Sequence, residues 1–204
     1  MDLQQHWERV YRTKSANQTS WYQPHLEISL DWIAEATPDR SSSIIDVGGG
    51  ESTLVDDLLT EGYRDITVLD LSETAIRKSQ ERVGAVGQSV RWLVGDVTET
   101  PFPTHAFDLW HDRAVFHFLT EQRQRAAYVR QLADSLRTGG HSIIATFGPD
   151  APEKCSGLPV RRYSAQDLQS ELGPQFQLEK ASTVEHWTPF ETAQQFVYCR
   201  FKFS

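Results

Sequence analysis

The segment Ile44-Ile45-Asp46-Val47-Gly48-Gly49-Gly50-Glu51-Ser52-Thr53 constrains the fold more than any other stretch of this chain. A short apolar run ends in three glycines and passes at once into a helical pattern. The backbone must therefore turn sharply at the carboxyl end of a buried strand. Lacking Cβ atoms, Gly48 and Gly50 permit that turn and let a ligand lie against the main chain. In open α/β sheets ligands bind outside the carboxyl ends of the strands, where the strand order reverses.

The surrounding pattern agrees. Spacing predicts a strand over 43–47, a helix over 52–60 ended by Gly62, a strand over 66–69, and a helix capped by Ser72 and running to about Val83. A strand over 90–94, another over 107–110, a long helix over 121–137 and a strand over 141–147 follow. Strands alternating with helices of this length imply a parallel sheet with helices on both faces. The C-terminal part differs: a short helix over 164–172, with Ser164 as N-cap and Asp167 at N3, precedes strands over 176–184 and 195–203 with no helix between them. Two such strands form an antiparallel pair. At the N-terminus, Leu3, Trp7, Val10 and Tyr11 share one helical face, and Leu26, Leu30, Ile33 and Ala34 another, stopped by Pro38. Trp21-Tyr22 sits on the loop between them.

Charge narrows the partners. Twenty basic against 28 acidic residues give a formal charge of −8, and no basic run exceeds Arg161-Arg162, so neither nucleic acid nor an anionic membrane is expected to bind. No stretch has the apolar length of a signal peptide core or a membrane span. Cys155 and Cys199, the two cysteines, form no disulfide framework and no zinc motif, so no metal is expected and a reducing cytoplasm is the expected setting.

Asp70 lies twenty residues beyond Gly50, at the tip of the second predicted strand. A carboxylate there can accept both hydrogen bonds of a ribose diol. Taken alone, a glycine turn is often structural, and an aspartate at a strand end often caps the next helix. Loop, strand and acid in register point together to an adenosine-type ligand. The sixth position of the turn, where a dinucleotide fingerprint has Gly or Ala, is Thr53, and the chain is short for a second nucleotide-binding half; NAD is the weaker choice.

At these residues the chain resembles the class I S-adenosylmethionine-dependent methyltransferases. The resemblance rests on Asp46-Val47-Gly48-Gly49-Gly50, Asp70, Gly95-Asp96-Val97, Phe107-Asp108 and Gly139-Gly140, and covers about residues 40–147. It implies a Rossmann-like, seven-stranded, mostly parallel sheet with helices on both faces and a C-terminal antiparallel hairpin. It implies S-adenosyl-L-methionine as cofactor and S-adenosyl-L-homocysteine as product. Gly48, Gly50, Asp70, Leu71, Asp96 and Val97 would hold the donor, with Asp46 reaching its amino group directly or through water. Trp7-Glu8-Arg9-Val10-Tyr11 followed by Trp21-Tyr22 resembles the N-terminal pattern of thiopurine- and tellurite-type methyltransferases, and of a group of protein-lysine methyltransferases. Trp21 would then cover the cofactor, while Tyr22 faces the substrate. The implied organisation is a single domain over 1–204, with a helical lid over 1–40, a cofactor-binding core over 41–147, and an acceptor-side loop and closing hairpin over 148–204.

The acceptor side is less determined, because in-line methyl transfer asks mainly for proximity and alignment. A base is needed only for an acceptor that arrives protonated. The segment after the fourth strand, 110–118, leaves the sheet's carboxyl edge and offers His111 to the cofactor, Asp112 and His117 as catalytic groups, and Arg113 for an acidic substrate. The alternative is that His117 packs in the core and Asp112–Arg113 is an ion pair. Arg161 could select an anionic acceptor or lie on a solvated surface. The expected function is methyl transfer to a small molecule with a soft sulfur, selenium or metalloid nucleophile, or a nitrogen one. The alternatives are a protein-lysine methyltransferase and, from another class, a non-catalytic cofactor-binding scaffold.

Overall fold

The computed structural model describes residues 3–204; Met1 and Asp2, part of the predicted N-terminal segment, lie outside the described residues. Two helices, α1 (Leu3–Thr13) and α2 (Glu27–Ala36), precede an alternating core. The core runs β1 (Ile44–Val47), α3 (Leu54–Thr60), β2 (Ile66–Asp70), α4 (Glu73–Val83), β3 (Arg91–Val94), β4 (Phe107–Arg113), α5 (Gln122–Ser135) and β5 (Leu136–Phe147). A two-residue hairpin, β6 (Lys154–Cys155) and β7 (Leu158–Pro159), then leads to α6 (Ala165–Leu172), β8 (Phe176–Trp187) and β9 (Ala193–Phe203). Seven strands form one sheet in the order β3-β2-β1-β4-β5-β9-β8. The first five are parallel, and β9 and β8 close the sheet antiparallel. This is the Rossmann-like sheet expected from the sequence. Among the described residues no helix is long and apolar enough to cross a membrane.

Strand alternation explains how the two faces are filled. Ile44, Ile66, Val68, Leu109 and Ile143 pack against Trp32 and Ile33 of α2, Leu54 and Leu58 of α3, and Ile76 of α4. Their neighbours Ile45, Val47, Leu69, Trp110 and Ile144 face Tyr128 and Leu132 of α5 and Leu168 and Leu172 of α6. Helices cover both faces, so β1 and β2 are buried throughout and read as nearly continuous apolar runs. The edge strand β8 instead alternates partly buried and exposed residues and carries Glu179, Lys180 and Glu185, which discourage edge pairing.

Several boundaries depart from the sequence expectation. β4 continues to Arg113 instead of ending at Trp110, because 109–113 keep pairing with β1 or β5. The helix predicted to Arg137 stops at Ser135, and β5 starts at Leu136; the ladder jumps from Phe107↔Leu136 to Leu109↔His141, so the chain bulges over 137–140. The loop after β5 contains the β6–β7 hairpin, too short to leave a periodic signal. The α6 capping box is as expected: Ser164 Oγ accepts the Asp167 N–H at 3.1 Å, and Asp167 Oδ2 accepts the Ser164 N–H at 2.9 Å.

Candidate cofactor site

The order reverses at β1, which has β2 on one side and β4 on the other, so a crevice opens beyond their carboxyl tips. α1 and the loop after it lie across this crevice. Beneath them is a cavity, partly open to solvent. Gly48 and Val47 from β1, Asp70 and Leu71 from β2, Asp96 and Val97 after β3, and Arg113 from β4 form its floor; Trp7, Tyr11, Trp21 and Phe118 form its cover. A second cavity adjoins it across Gly48, Tyr11, Trp21 and Arg113, and is lined also by Tyr22, Asp46, Glu51 and His111.

The turn after β1 works as its composition requires. Gly48 and Gly50 adopt φ of +69° and +47°. A Cβ on Gly48 would collide with Val115, and one on Gly50 with the Tyr11 hydroxyl. Gly50 therefore lies under the lid's tyrosine, while Gly48 faces both cavities.

Asp70 is 7% exposed. Its Oδ1 accepts the Ser72 N–H at 2.8 Å, and the Gly50 N–H also supports the carboxylate. Burial, reinforced by repulsion from Asp46, nonetheless pushes its pKa up to about 7. A carboxylate has acceptor positions beyond these two N–H groups, and a ribose diol supplies two further donors. Asp96 is held by the Thr98 N–H at 2.8 Å and the Thr98 hydroxyl at 2.7 Å, beside Val97 in the same wall. Carboxylate, backbone turn and apolar wall together fit a nucleoside.

The lid is fastened by charges rather than by a continuous core. Glu8 accepts the Ser72 hydroxyl at 2.7 Å and the Thr74 N–H at 3.2 Å, and the Thr74 hydroxyl too, so it caps the N-terminus of α4. Those bonds, the Thr74 hydroxyl foremost, hold the Glu8 carboxyl below its ordinary range. Lys78 donates to the carbonyls of Tyr11 at 2.6 Å and Lys14 at 3.2 Å, and pairs with Glu51 at 2.6 Å. Arg113 Nη1 donates to the Trp21 carbonyl at 2.9 Å. Within the cover the rings meet edge to face: Trp7–Trp21 at 5.5 Å and Trp7–Phe118 at 5.1 Å between centroids.

The candidate catalytic residues sit elsewhere. β4 extends to Arg113, so alternation sends His111 and Arg113 toward the α2 face and Asp112 toward α5. Asp112 is fully buried and accepts the N–H groups of Val115 at 2.9 Å and Phe116 at 3.1 Å and the Tyr128 hydroxyl at 2.7 Å. It ties the turn after β4 to α5 and lines neither cavity. His117 is also fully buried; its Nδ1 accepts the Phe147 N–H at 3.1 Å, and burial pushes its pKa down to about 3. Neither residue is placed to take a proton from a molecule in the crevice. Arg161 is half-exposed, pairs with Glu171 at 3.2 Å and stacks on Tyr163, away from both cavities. His111, Trp21, Tyr22 and Arg113, by contrast, converge on the site. Cys155 also lines the first cavity, with its thiol pushed up to about 11 by burial. Sequence reasoning missed Ser29 of α2, whose hydroxyl lies 2.9 Å from His111 Nε2; the helix offers no local signal for a contact with β4.

Comparisons place this geometry among known proteins. Residues 44–140 match the family model of a methyltransferase domain. The mouse eEF1A lysine and N-terminal methyltransferase is 27% identical over 192 residues, covering 85% of this chain and 27% of that protein; the chain thus spans about a quarter of the curated relatives it matches first. The solved structure of Burkholderia thailandensis 1,6-didemethyltoxoflavin-N1-methyltransferase, with 1,6-didemethyltoxoflavin and S-adenosylhomocysteine bound, superposes with TM-score 0.68 at 19% identity, covering 96% of this chain and 81% of the other. A protein solved in work on the conversion of a disulfide bond into a thioacetal group during echinomycin biosynthesis reaches TM-score 0.77 at 20% identity, covering 99% and 92%. The glycine turn, the acid at the tip of β2 and the seven-stranded order agree with the family match, and residues 44–140 form a methyltransferase domain.

Proposed function

We propose that this chain transfers the methyl group of S-adenosylmethionine to a small-molecule acceptor, one with a soft sulfur, selenium or metalloid nucleophile or a nitrogen one. The observation that carries this reading is the buried Asp70 carboxylate at the floor of a cavity roofed by aromatic side chains. Asp70 would hold the ribose, and Leu71, Asp96 and Val97 the adenine. When bound, the cofactor supplies a methyl group activated by its sulfonium. The protein's part is to exclude water and align the acceptor. Trp7, Tyr11 and Trp21 close the roof, and their ring faces suit a cation. Phe118, Leu119 and Cys155 extend the first cavity as a largely apolar wall. Asp112 and His117 are committed to the fold, which favours an acceptor that arrives already nucleophilic, such as a thiolate, over one that must be deprotonated first.

The eEF1A methyltransferase relatives favour a second reading, in which the acceptor is a lysine or N-terminal amine of a protein. A cavity under a lid of aromatic side chains supports the small molecule instead. Incubation with radiolabelled methyl donor and fractionated lysate tests the choice. Label in the small-metabolite fraction is expected; label in a protein band would replace the first reading with the second. No label in any fraction, with donor binding intact, would leave the non-catalytic scaffold.

A further inference from the structure

Arg113 is a half-buried guanidinium with no acid to balance it. Among the other arginines that are not exposed, Arg40, Arg125 and Arg200 each pair with a glutamate, at 3.2, 2.6 and 2.8 Å. Arg113 has no such partner among the described residues. Asp46 and Glu51, which line the second cavity with it, are taken by His111 at 2.7 Å and Lys78 at 2.6 Å. Asp70 and Asp96, which line the first, bond to the Ser72 and Thr98 N–H groups. The Arg113 side chain is nonetheless fixed in place. Its Nε donates to the Tyr198 hydroxyl at 2.9 Å and its Nη1 to the Trp21 carbonyl at 2.9 Å, while the guanidinium lies 4.7 Å from the Phe196 ring centre. Nη2 has no hydrogen-bond partner among the described residues. A charge taken from water without an opposite charge is costly, and a bound anion offsets that cost.

Sheet order separates this guanidinium from the nucleoside. The groups that would hold the nucleoside stand at the tips of β2 and β3, beyond β1 on one side of β4; Tyr198 and Phe196 belong to β9, beyond β5 on the other. Arg113 therefore reaches away from Asp70, toward the side where Cys155 of the β6–β7 hairpin closes the cavity. Burial foremost raises the Cys155 thiol, and the Arg113 charge is among the groups that oppose the rise. The wall there, with Phe118 and Leu119, is apolar. An occupant that satisfies both features has an apolar body and an anionic end. We propose that the methyl acceptor is such an organic acid, and that Arg113 is a specificity-determining residue whose Nη2 binds its carboxylate. Tyr198, Phe196 and Trp21 are positioning residues that hold the guanidinium fork. The carboxylate is a handle, and the nucleophile is another atom of the same molecule. The proposal rests on the small-molecule reading above and narrows it to acids.

The test is calorimetric titration of the full chain, saturated with S-adenosylhomocysteine, with benzoate, phenylacetate and 3-phenylpropanoate, each against its neutral amide. At least one acid is expected to bind about tenfold or more tighter than its amide, the range of a hydrogen bond between charged groups. Arg113→Gln should abolish that preference, and Arg113→Lys should keep part of it, since the charge stays while the fork is lost. Tyr198→Phe, which keeps the charge but frees Nε, should reduce the preference by about threefold. Should the Arg113 variants fail to fold, Tyr198→Phe and the acid-to-amide ratios of the unaltered chain carry the test. Acids bound no tighter than their amides overturn the proposal. Any loss of S-adenosylhomocysteine affinity in Arg113→Gln should be shared by 5′-methylthioadenosine, which lacks the amino-acid end. A loss confined to S-adenosylhomocysteine would place the guanidinium on the donor and overturn the assignment. In lysate given radiolabelled donor, the labelled small molecule should be retained by an anion exchanger at neutral pH. Label in a neutral or cationic fraction, a base-labile methyl ester included, overturns the proposal too. If the unaltered chain binds no S-adenosylhomocysteine, the cofactor-site reading falls and the proposal with it; if label enters protein alone, the small-molecule reading does.

Discussion

Replacing Asp70 by asparagine should make the ligand-free protein more stable while removing most of its cofactor affinity. The carboxyl is nearly isosteric with the amide, so packing is preserved. Burial raises the Asp70 pKa from 3.8 to about 7, so the folded chain binds this proton more tightly than the unfolded one. Stability from this group is therefore complete below about pH 3.8 and is lost as pH rises toward 7. The full loss is about 4 kcal/mol by linkage. Asparagine cannot ionise, so Asp70→Asn should regain about 2–4 kcal/mol at pH 7.5, raising Tm by about 5–15 °C for a domain of this size. Against that gain, the ribose loses a charged acceptor for two hydroxyls, and S-adenosylhomocysteine affinity should fall by about 30- to 100-fold. Scanning calorimetry from pH 5 to 8, with and without S-adenosylhomocysteine, reads both effects at once. A Tm–pH profile identical to wild type, or a ligand-free variant less stable at pH 7.5, would refute the account of Asp70 as a carboxylate kept charged at a cost to the fold.

Two other residues test which groups serve the fold alone. Tyr128→Phe removes the hydroxyl that donates to Asp112 and accepts from Trp110 Nε1 at 2.9 Å; it should cost about 1–3 kcal/mol in denaturant unfolding and leave S-adenosylhomocysteine affinity within about twofold. A large affinity loss at unchanged stability would instead tie Asp112 to the site. His117, with its pKa lowered to about 3 by burial, favours the fold only while neutral, so its contribution is intact above about pH 6.5 and is lost as pH falls toward 3. His117→Gln should flatten the acid limb of the Tm–pH curve by about 2–3 kcal/mol between pH 6 and 4, and an unchanged limb would show that another group drives acid unfolding.

Much of the candidate site was legible because its parts are local. The glycine turn, the aspartate at the tip of β2 and the acid after β3 each mark a strand end within a few residues, and hydrophobic periodicity set the order of elements between them. The acceptor side was not legible, and β4 shows why. Its end at Arg113 rather than Trp110 depends on pairing with β1 and β5, strands distant in sequence. That pairing alone decides that Asp112 points to α5 while its neighbours point into the crevice.

The amino-acid order by itself determined the alternating sheet, the glycine turn and the acid at the tip of β2, because side-chain spacing and glycine's conformational freedom act over one or two turns of chain. Only the tertiary structure decided which polar groups share a cavity. Ser29 reaches His111 across 82 residues, and Arg113 reaches Trp21 across 92 and Tyr198 across 85. Contacts of that separation follow from how the helices settle on the sheet, and no periodicity in the chain encodes them.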